Sequence, residues 1–245
     1  MKTVSLPYSI ATAALLAISA QAAQVAFSAR TPTVGPDDIS NLAGAAAENE
    51  NVSKGDNDAT YTADDRPIQG QTFTTGTNSA GYQLGAVTLR EVKCETYSLI
   101  PDLKYTIRVT KASSNALEVV ATEEAEVAAD LSGNIPTIGG GDQMGTGSGV
   151  FITFTFAKPI TLKPNTRYGF DVGGGTSRHY WQVDGTVSNA YAGGEAYSSG
   201  SGGVGAASRT VRPGDRVFIV ALSPAGGAVG RQAKASSAGA QILEH

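Results

Sequence analysis

Val150-Phe151-Ile152-Thr153-Phe154-Thr155-Phe156 decides the fold class. In an extended chain Val150, Ile152, Phe154 and Phe156 share one side, and Phe151, Thr153 and Thr155 share the other. A helix would scatter the same residues around its circumference, so the stretch reads as a strand. Tyr105, Ile107 and Val109 repeat the pattern against Thr106, Arg108 and Thr110. Further strands are expected at 71–75, 82–92, 117–127, 167–172, 178–184 and 215–222, with an edge strand at 24–27. Gly/Ser/Thr/Asn/Pro clusters punctuate them, among them Gly76-Thr77-Asn78-Ser79, Gly139-Gly140-Gly141-Asp142, Lys163-Pro164-Asn165-Thr166, Gly173-Gly174-Gly175 and residues 198–205. Many short strands with turn punctuation and almost no helical period predict an all-β fold, a two-sheet antiparallel β-sandwich of jelly-roll type. A β-helix would need a fixed short repeat, which is not seen. A lipocalin-like barrel would need hairpins more evenly spaced than these.

Composition narrows the function. The chain has 245 residues and is 41% hydrophobic, enough to build a core. With 18 Lys+Arg against 22 Asp+Glu the net charge is −4, which offers no electrostatic footprint for a phosphate backbone. A single cysteine, Cys94, rules out an intrachain disulfide, and 2 histidines rule out chemistry that needs several imidazoles. No nucleic-acid partner is expected.

The first residues read as an address. Lys2 precedes a short apolar run over 10–20, and Ala20-Gln21-Ala22 has the small-x-small form of a secretory cleavage site. The run is shorter than the roughly 20 apolar residues a membrane span needs. The expected organisation is a signal peptide at 1–22, one β-sandwich domain at 23–223 with an acidic loop region at about 32–65, and a flexible tail at 224–245. The expected location is secreted, extracellular and without membrane insertion.

Gln71-Thr-Phe-Thr-Thr-Gly76, then Gly81-Tyr-Gln-Leu-Gly-Ala-Val-Thr-Leu89, resembles the opening strands of secreted jelly-roll modules of bacterial surface and exported proteins. Ile160-Thr-Leu-Lys-Pro-Asn-Thr-Arg-Tyr-Gly-Phe170 is similar to a recurrent hairpin of those modules, and Asp215-Arg-Val-Phe-Ile-Val-Ala-Leu222 to their closing strand. The resemblance implies a sandwich of the carbohydrate-binding-module kind, attached to or released from a cell surface.

The residues best suited to binding surround Arg178-His179-Tyr180-Trp181-Gln182-Val183-Asp184, which holds the only tryptophan. Sugar rings stack on aromatic planes and bond to planar polar side chains. Arg178, Tyr180, Trp181, Gln182 and Asp184, with Tyr191 and Tyr197 following, are therefore the candidate ligand-binding set. Trp181 as a core anchor is the competing reading. Asp56, Asp58, Asp64 and Asp65 offer oxygen ligands for a structural Ca²⁺, although the spacing does not match an EF-hand loop. A solvated acidic loop is the alternative there.

Hydrolysis would require two carboxylates at a set separation, for which Asp171 and Asp184 are the candidates. No Gly-x-Ser-x-Gly elbow accompanies His179. The sequence thus predicts a secreted, non-catalytic protein that binds a polysaccharide or cell-surface glycan. A polysaccharide hydrolase or lyase and a self-associating extracellular matrix protein are the alternatives.

Overall fold

The structure is a computed structural model that describes residues 22–28, 30–42, 68–94, 104–126, 150–174, 181–183, 185–186, 190–199, 207–212 and 214–226. All regular structure among them is β. In chain order the strands are β1 (Ala23–Ser28), β2 (Ile39–Asn41), β3 (Ile68–Thr74), β4 (Tyr82–Cys94), β5 (Lys104–Ala112), β6 (Leu117–Glu126) and β7 (Val150–Leu162). They continue as β8 (Arg167–Gly174), β9 (Trp181–Val183), β10 (Gly185–Thr186), β11 (Ala196–Ser199), β12 (Arg209–Val211), β13 (Asp215–Arg216) and β14 (Phe218–Pro224).

The all-β class holds, but the two-sheet antiparallel sandwich does not. The strands join in one path, β12-β11-β3-β8-β5-β6-β1-β7-β4-β14-β2, with β9 branching from β4 and β10 pairing β13 apart from it. This mixed sheet is curled into a half-barrel, so the jelly-roll architecture implied by the resemblance is also overturned.

The physical reason is β1. Residues 24–27 read as an edge strand, yet β1 lies in the middle of the sheet. It runs antiparallel to β7 from Gln24↔Thr155 to Ser28↔Phe151. On its other side it is parallel to β6 at Ala23↔Ala125 and Gln24↔Glu126. Take β1 away and the path divides into a run from β12 to β6 and a run from β7 to β2. Alternating polarity shows that a segment is a strand but not which strands flank it, and a short parallel pairing leaves no local mark.

Curling brings the concave faces of the two runs together around one core. Phe170 on β8 packs on Phe218 on β14 at 5.9 Å between ring centroids, and Tyr105 on β5 meets Phe154 on β7 edge to face at 5.3 Å. Val25, Phe73, Leu84, Ile107, Val109, Ile152 and Val172 fill the space between them. Each such side chain stabilises the fold by about 1.5–3 kcal/mol relative to exposure.

Lys163-Pro164-Asn165-Thr166 is not a hairpin turn, since β8 pairs with β3 and β5 rather than with β7. It is a corner that carries the chain from one run to the other. Asn165 adopts φ of +47°, a left-handed conformation that asparagine tolerates. Its N–H donates to the Gly76 carbonyl at 2.9 Å, and the Thr75 hydroxyl donates to the Lys163 carbonyl at 2.6 Å.

Four strands fall outside the sequence expectation, among them the two-residue β10 just past the strand expected at 178–184. β2 lies inside the stretch read as an acidic loop, and β11 and β12 occur where Gly/Ser-rich composition hid the pattern. At the other end β14 continues through Pro224, and the tail from residue 227 onward lies outside the described residues.

Candidate functional site

The convex face of the sheet carries an unusual row of polar side chains. Tyr197 on β11 lies opposite Gly70 on β3, Gly70 lies opposite Asp171 on β8, and Asp171 lies opposite Arg108 on β5. Neighbours on both sides of Arg108 and Asp171, namely Ile107, Val109, Phe170 and Val172, point into the core. Strand alternation therefore sends Arg108 and Asp171 to the opposite face. They are nevertheless only 1% exposed.

Enclosure comes from the β5–β6 turn, which folds back onto the segment leading into β12. Ala116 bridges Ser208, the Leu117 N–H donates to the Ala207 carbonyl at 2.8 Å, and the Arg209 N–H donates to the Asn115 carbonyl at 3.1 Å. Strands β5, β8, β3, β11 and β12 thereby close a loop around the row. Ala112 and Leu117 pack against Tyr197 as a second small core.

Inside this loop Arg108 grips Asp171 with two bonds, Nε to Oδ1 at 2.9 Å and Nη2 to Oδ2 at 2.7 Å. The Tyr197 hydroxyl donates to the same Oδ2 at 2.9 Å. Paired charge-assisted bonds of this kind are among the stronger ones in proteins. Burial pushes the Asp171 carboxyl above its ordinary value, while Arg108 and Tyr197 pull it back. Burial also works against the Arg108 charge, but Asp171 outweighs it and the guanidinium is held more firmly protonated.

Gly70 makes the reach across β3 possible. A Cβ there would sit 2.5 Å from Tyr197 Cζ and 2.6 Å from the Phe170 carbonyl oxygen. Gly70→Ala is expected to destabilise the fold by about 1–3 kcal/mol, because neither the ring nor the backbone can yield. Denaturant melts check this, and an unchanged midpoint would mean that the ring is free to move.

Burial first, and the Asp171 carboxylate second, raise the Tyr197 phenol well above its ordinary value of 10.0. Burial likewise raises Tyr191, opposed by the Thr74 N–H. For a group raised in the folded state, stability is whole below the unfolded value and is lost as pH rises through the folded one. Stability is therefore expected to fall as pH climbs past about 10, with a shallower fall in Tyr197→Phe. Urea melts from pH about 8 to about 11 give the slope, and a flat profile would overturn the assignment.

Two further clusters flank the row. Glu195 accepts from Arg209 Nη2 at 2.7 Å and from Arg167 Nη2 at 2.9 Å, and the Arg209 guanidinium stands 5.8 Å from the Tyr197 ring centroid. On the concave side buried Asp215 accepts from Gln71 Nε2 and from the Tyr191 N–H, both at 2.9 Å. The Gln71 side-chain oxygen Oε1 in turn accepts from the Arg216 backbone N–H at 2.8 Å. Asp171 and Asp215 are thus both occupied by donors.

The sequence candidates fare unevenly. Tyr197 is fully buried, which removes it from any surface platform. Tyr191 is half-buried and packs edge to face on Phe218 at 5.3 Å. Asp171 is bound by Arg108 and Tyr197 rather than presented as half of an acid pair. Trp181 and Gln182 belong to β9, whose backbone pairs with Lys93 and Cys94 at the far end of β4. Arg178, Tyr180, Asp184 and the calcium candidates Asp56, Asp58, Asp64 and Asp65 lie outside the described residues.

Sequence reasoning missed Arg108 as a partner for Asp171. The available signal was a lone charge in mid-strand, flanked on both sides by core residues, occurring once in Ile107-Arg108-Val109 and again in Phe170-Asp171-Val172. Set against known protein families, curated proteins and solved structures, the chain matches none of them.

Proposed function

We propose that the protein is an exported, non-catalytic β protein that binds a polysaccharide or cell-surface glycan through the strand around Trp181. The observation that carries the non-catalytic part is the state of the buried acids. Asp171 is held by Arg108 and Tyr197, and Asp215 by Gln71 and the Tyr191 N–H. A general acid or nucleophile needs a lone pair or proton aimed at substrate, and these oxygens are aimed at structural donors.

The binding part is supported by the position of β9. It branches from the main path and is hydrogen-bonded only to β4 among the described strands, which makes it a peripheral element. Peripheral aromatic and planar polar side chains suit sugar rings, which bind through stacking and directional hydrogen bonds.

Pull-down on insoluble polysaccharides and a glycan array test the reading. At least one glycan is expected to bind, with affinity falling about tenfold or more in Trp181→Ala or Tyr180→Ala. Absence of binding to every glycan, or binding indifferent to both substitutions, overturns it.

A further inference from the structure

We propose that Arg167, Arg209 and Glu195 form an oxyanion-binding site, which takes a carboxylate or sulfate group, carried by an acidic glycan or free in solution. The site is built on β8, on β12 and on the residue before β11, none of which pairs with β9. It goes beyond the glycan reading, because it stands whether or not Trp181 contacts a sugar.

Strand register brings the three side chains together. Arg167 opens β8 opposite Thr74, the last residue of β3. Glu195 is fixed one step before β11, where its N–H donates to the Thr72 hydroxyl at 2.8 Å and its carbonyl accepts from the Thr72 N–H at 2.9 Å. Arg209 reaches the same carboxylate from β12 by way of the Tyr197 ring. Both guanidiniums donate through Nη2 to a single oxygen, Glu195 Oε1, at 2.9 Å from Arg167 and 2.7 Å from Arg209. The two donor atoms are therefore within about 6 Å of each other, close enough for like charges to repel.

Two cations thus share one anion. Among the described residues no other carboxylate lies within ion-pair distance of either guanidinium, and the nearby Asp171 is gripped by Arg108. The cluster keeps an uncompensated positive charge. Water cannot disperse it at Arg209, whose side chain is 1% exposed. The Nε and Nη1 of Arg209 and the Nε of Arg167 are buried and have no protein acceptor. Arg108 shows the contrast, since it sets both Nε and Nη2 on Asp171. Buried guanidinium donors without acceptors, and with half a counter-ion each, favour a further oxyanion beside them.

Arg209 is covered, so it acts as a fixed charge from below, and contact with a ligand falls to Arg167. The side chains of Arg167 and Glu195 are 38% and 28% exposed, which leaves that approach open. A second donor stands close by. The Tyr191 hydroxyl accepts from the N–H of Thr74, the cross-strand neighbour of Arg167, and its own proton makes no bond among the described residues. The Arg167 charge acts on this hydroxyl. One guanidinium and one hydroxyl suit a single carboxylate or sulfate with a sugar hydroxyl at its side. They are too few for a phosphate backbone, in keeping with the net charge of −4. Glu195 is both clamp and competitor, because its oxygen holds the place between the arginines that a ligand oxygen would also favour.

Isothermal titration of the full chain, at fixed ionic strength in sodium chloride, tests this with three probes. They are sodium sulfate, an oligogalacturonate, and the same oligomer as its methyl ester, which keeps the sugar and removes the charge. At least one anion is expected to bind, with the ester at least about tenfold weaker than the acid if the oligomer is the ligand. Arg167→Gln is expected to weaken the anion by about tenfold or more. Glu195→Gln is expected to tighten it by about tenfold, since the competing carboxylate is gone and both guanidiniums remain. An ion pair with a structural role alone gives no such gain. Sulfate bound as well as the oligomer makes a free anion the ligand, and a preference for the oligomer makes it an acidic glycan. The proposal is overturned if neither anion binds, if the ester binds as tightly as the acid while sulfate does not bind, if Arg167→Gln changes nothing, or if Glu195→Gln weakens binding. Neutral glycans bound through Trp181 would leave the glycan reading standing after such a failure. Sulfate binding lost in Arg167→Gln, with no glycan bound, would keep this site and remove that reading.

Discussion

Arg108→Met is expected to lower stability by about 3–5 kcal/mol, a large fraction of what a domain of this kind possesses. The substitution keeps an unbranched side chain out to about the position of Nε and removes the guanidinium with its charge. Asp171 would then face a closed chamber stripped of both guanidinium bonds, with hydroxyl groups such as that of Tyr197 left to face its charge. An isolated carboxylate in such a place either takes up a proton or opens the structure to water, and both outcomes cost stability. The loss measures an uncompensated charge rather than the value of the ion pair. Replacing the whole row by apolar side chains, as in Arg108→Met with Asp171→Leu and Tyr197→Phe, is therefore expected to recover most of it. Guanidinium melts of the single and triple variants decide the matter. If Arg108→Met melts like wild type, the row is not sealed from solvent. A triple variant no better than the single would mean that the ion pair itself is the stabilising element.

The row also shows what could be read from sequence. The strands carrying it were evident because Tyr105, Ile107 and Val109, and equally Tyr168, Phe170 and Val172, alternate with other residues at a period of two. That alternation sets Arg108 on the face away from Tyr105, Ile107 and Val109, whereas Asp171 reads from sequence only as half of an acid pair with Asp184. Alternation alone does not reveal that the face is enclosed, because the second layer over it comes from a distant turn. The bridge from Ala116 to Ser208 depends on where the chain goes after β6 and β11, which no local pattern records. Tyr197 was misplaced for the same reason. An aromatic residue beside serine and glycine looks like a surface platform until Gly70, far away in sequence, is seen lying directly beneath the ring. An intrachain disulfide and chemistry needing several imidazoles are excluded by counting one cysteine and 2 histidines, which needs no topology.

The largest expected effect belongs to β1. A chain lacking residues 1–28 is expected to lose at least about 5 kcal/mol and to show no cooperative unfolding transition. Two contributions add up to this. Ala23 and Val25 are buried, and Phe27 packs against the core, so their removal exposes apolar surface worth a few kcal/mol. The ladder to β7 runs over five residues, and β6 is bonded at two, each bond contributing about 0.5–1.5 kcal/mol net. Beyond the sum, the deletion leaves facing edges of β6 and β7 unpaired along that length, a state that invites aggregation. The slot is specific, since small and apolar residues alternate on its inward side at Ala23, Val25 and Phe27. A synthetic peptide of residues 22–30 is therefore expected to restore the transition when mixed with the deleted chain, and the same peptide with Val25→Asp is expected not to. Circular dichroism melts with and without peptide read both results. A deleted chain that unfolds cooperatively at the wild-type midpoint would mean that the two runs hold together without β1. The single continuous sheet would then be incidental to stability, and the Phe170–Phe218 and Tyr105–Phe154 contacts across the core would have to be sufficient alone.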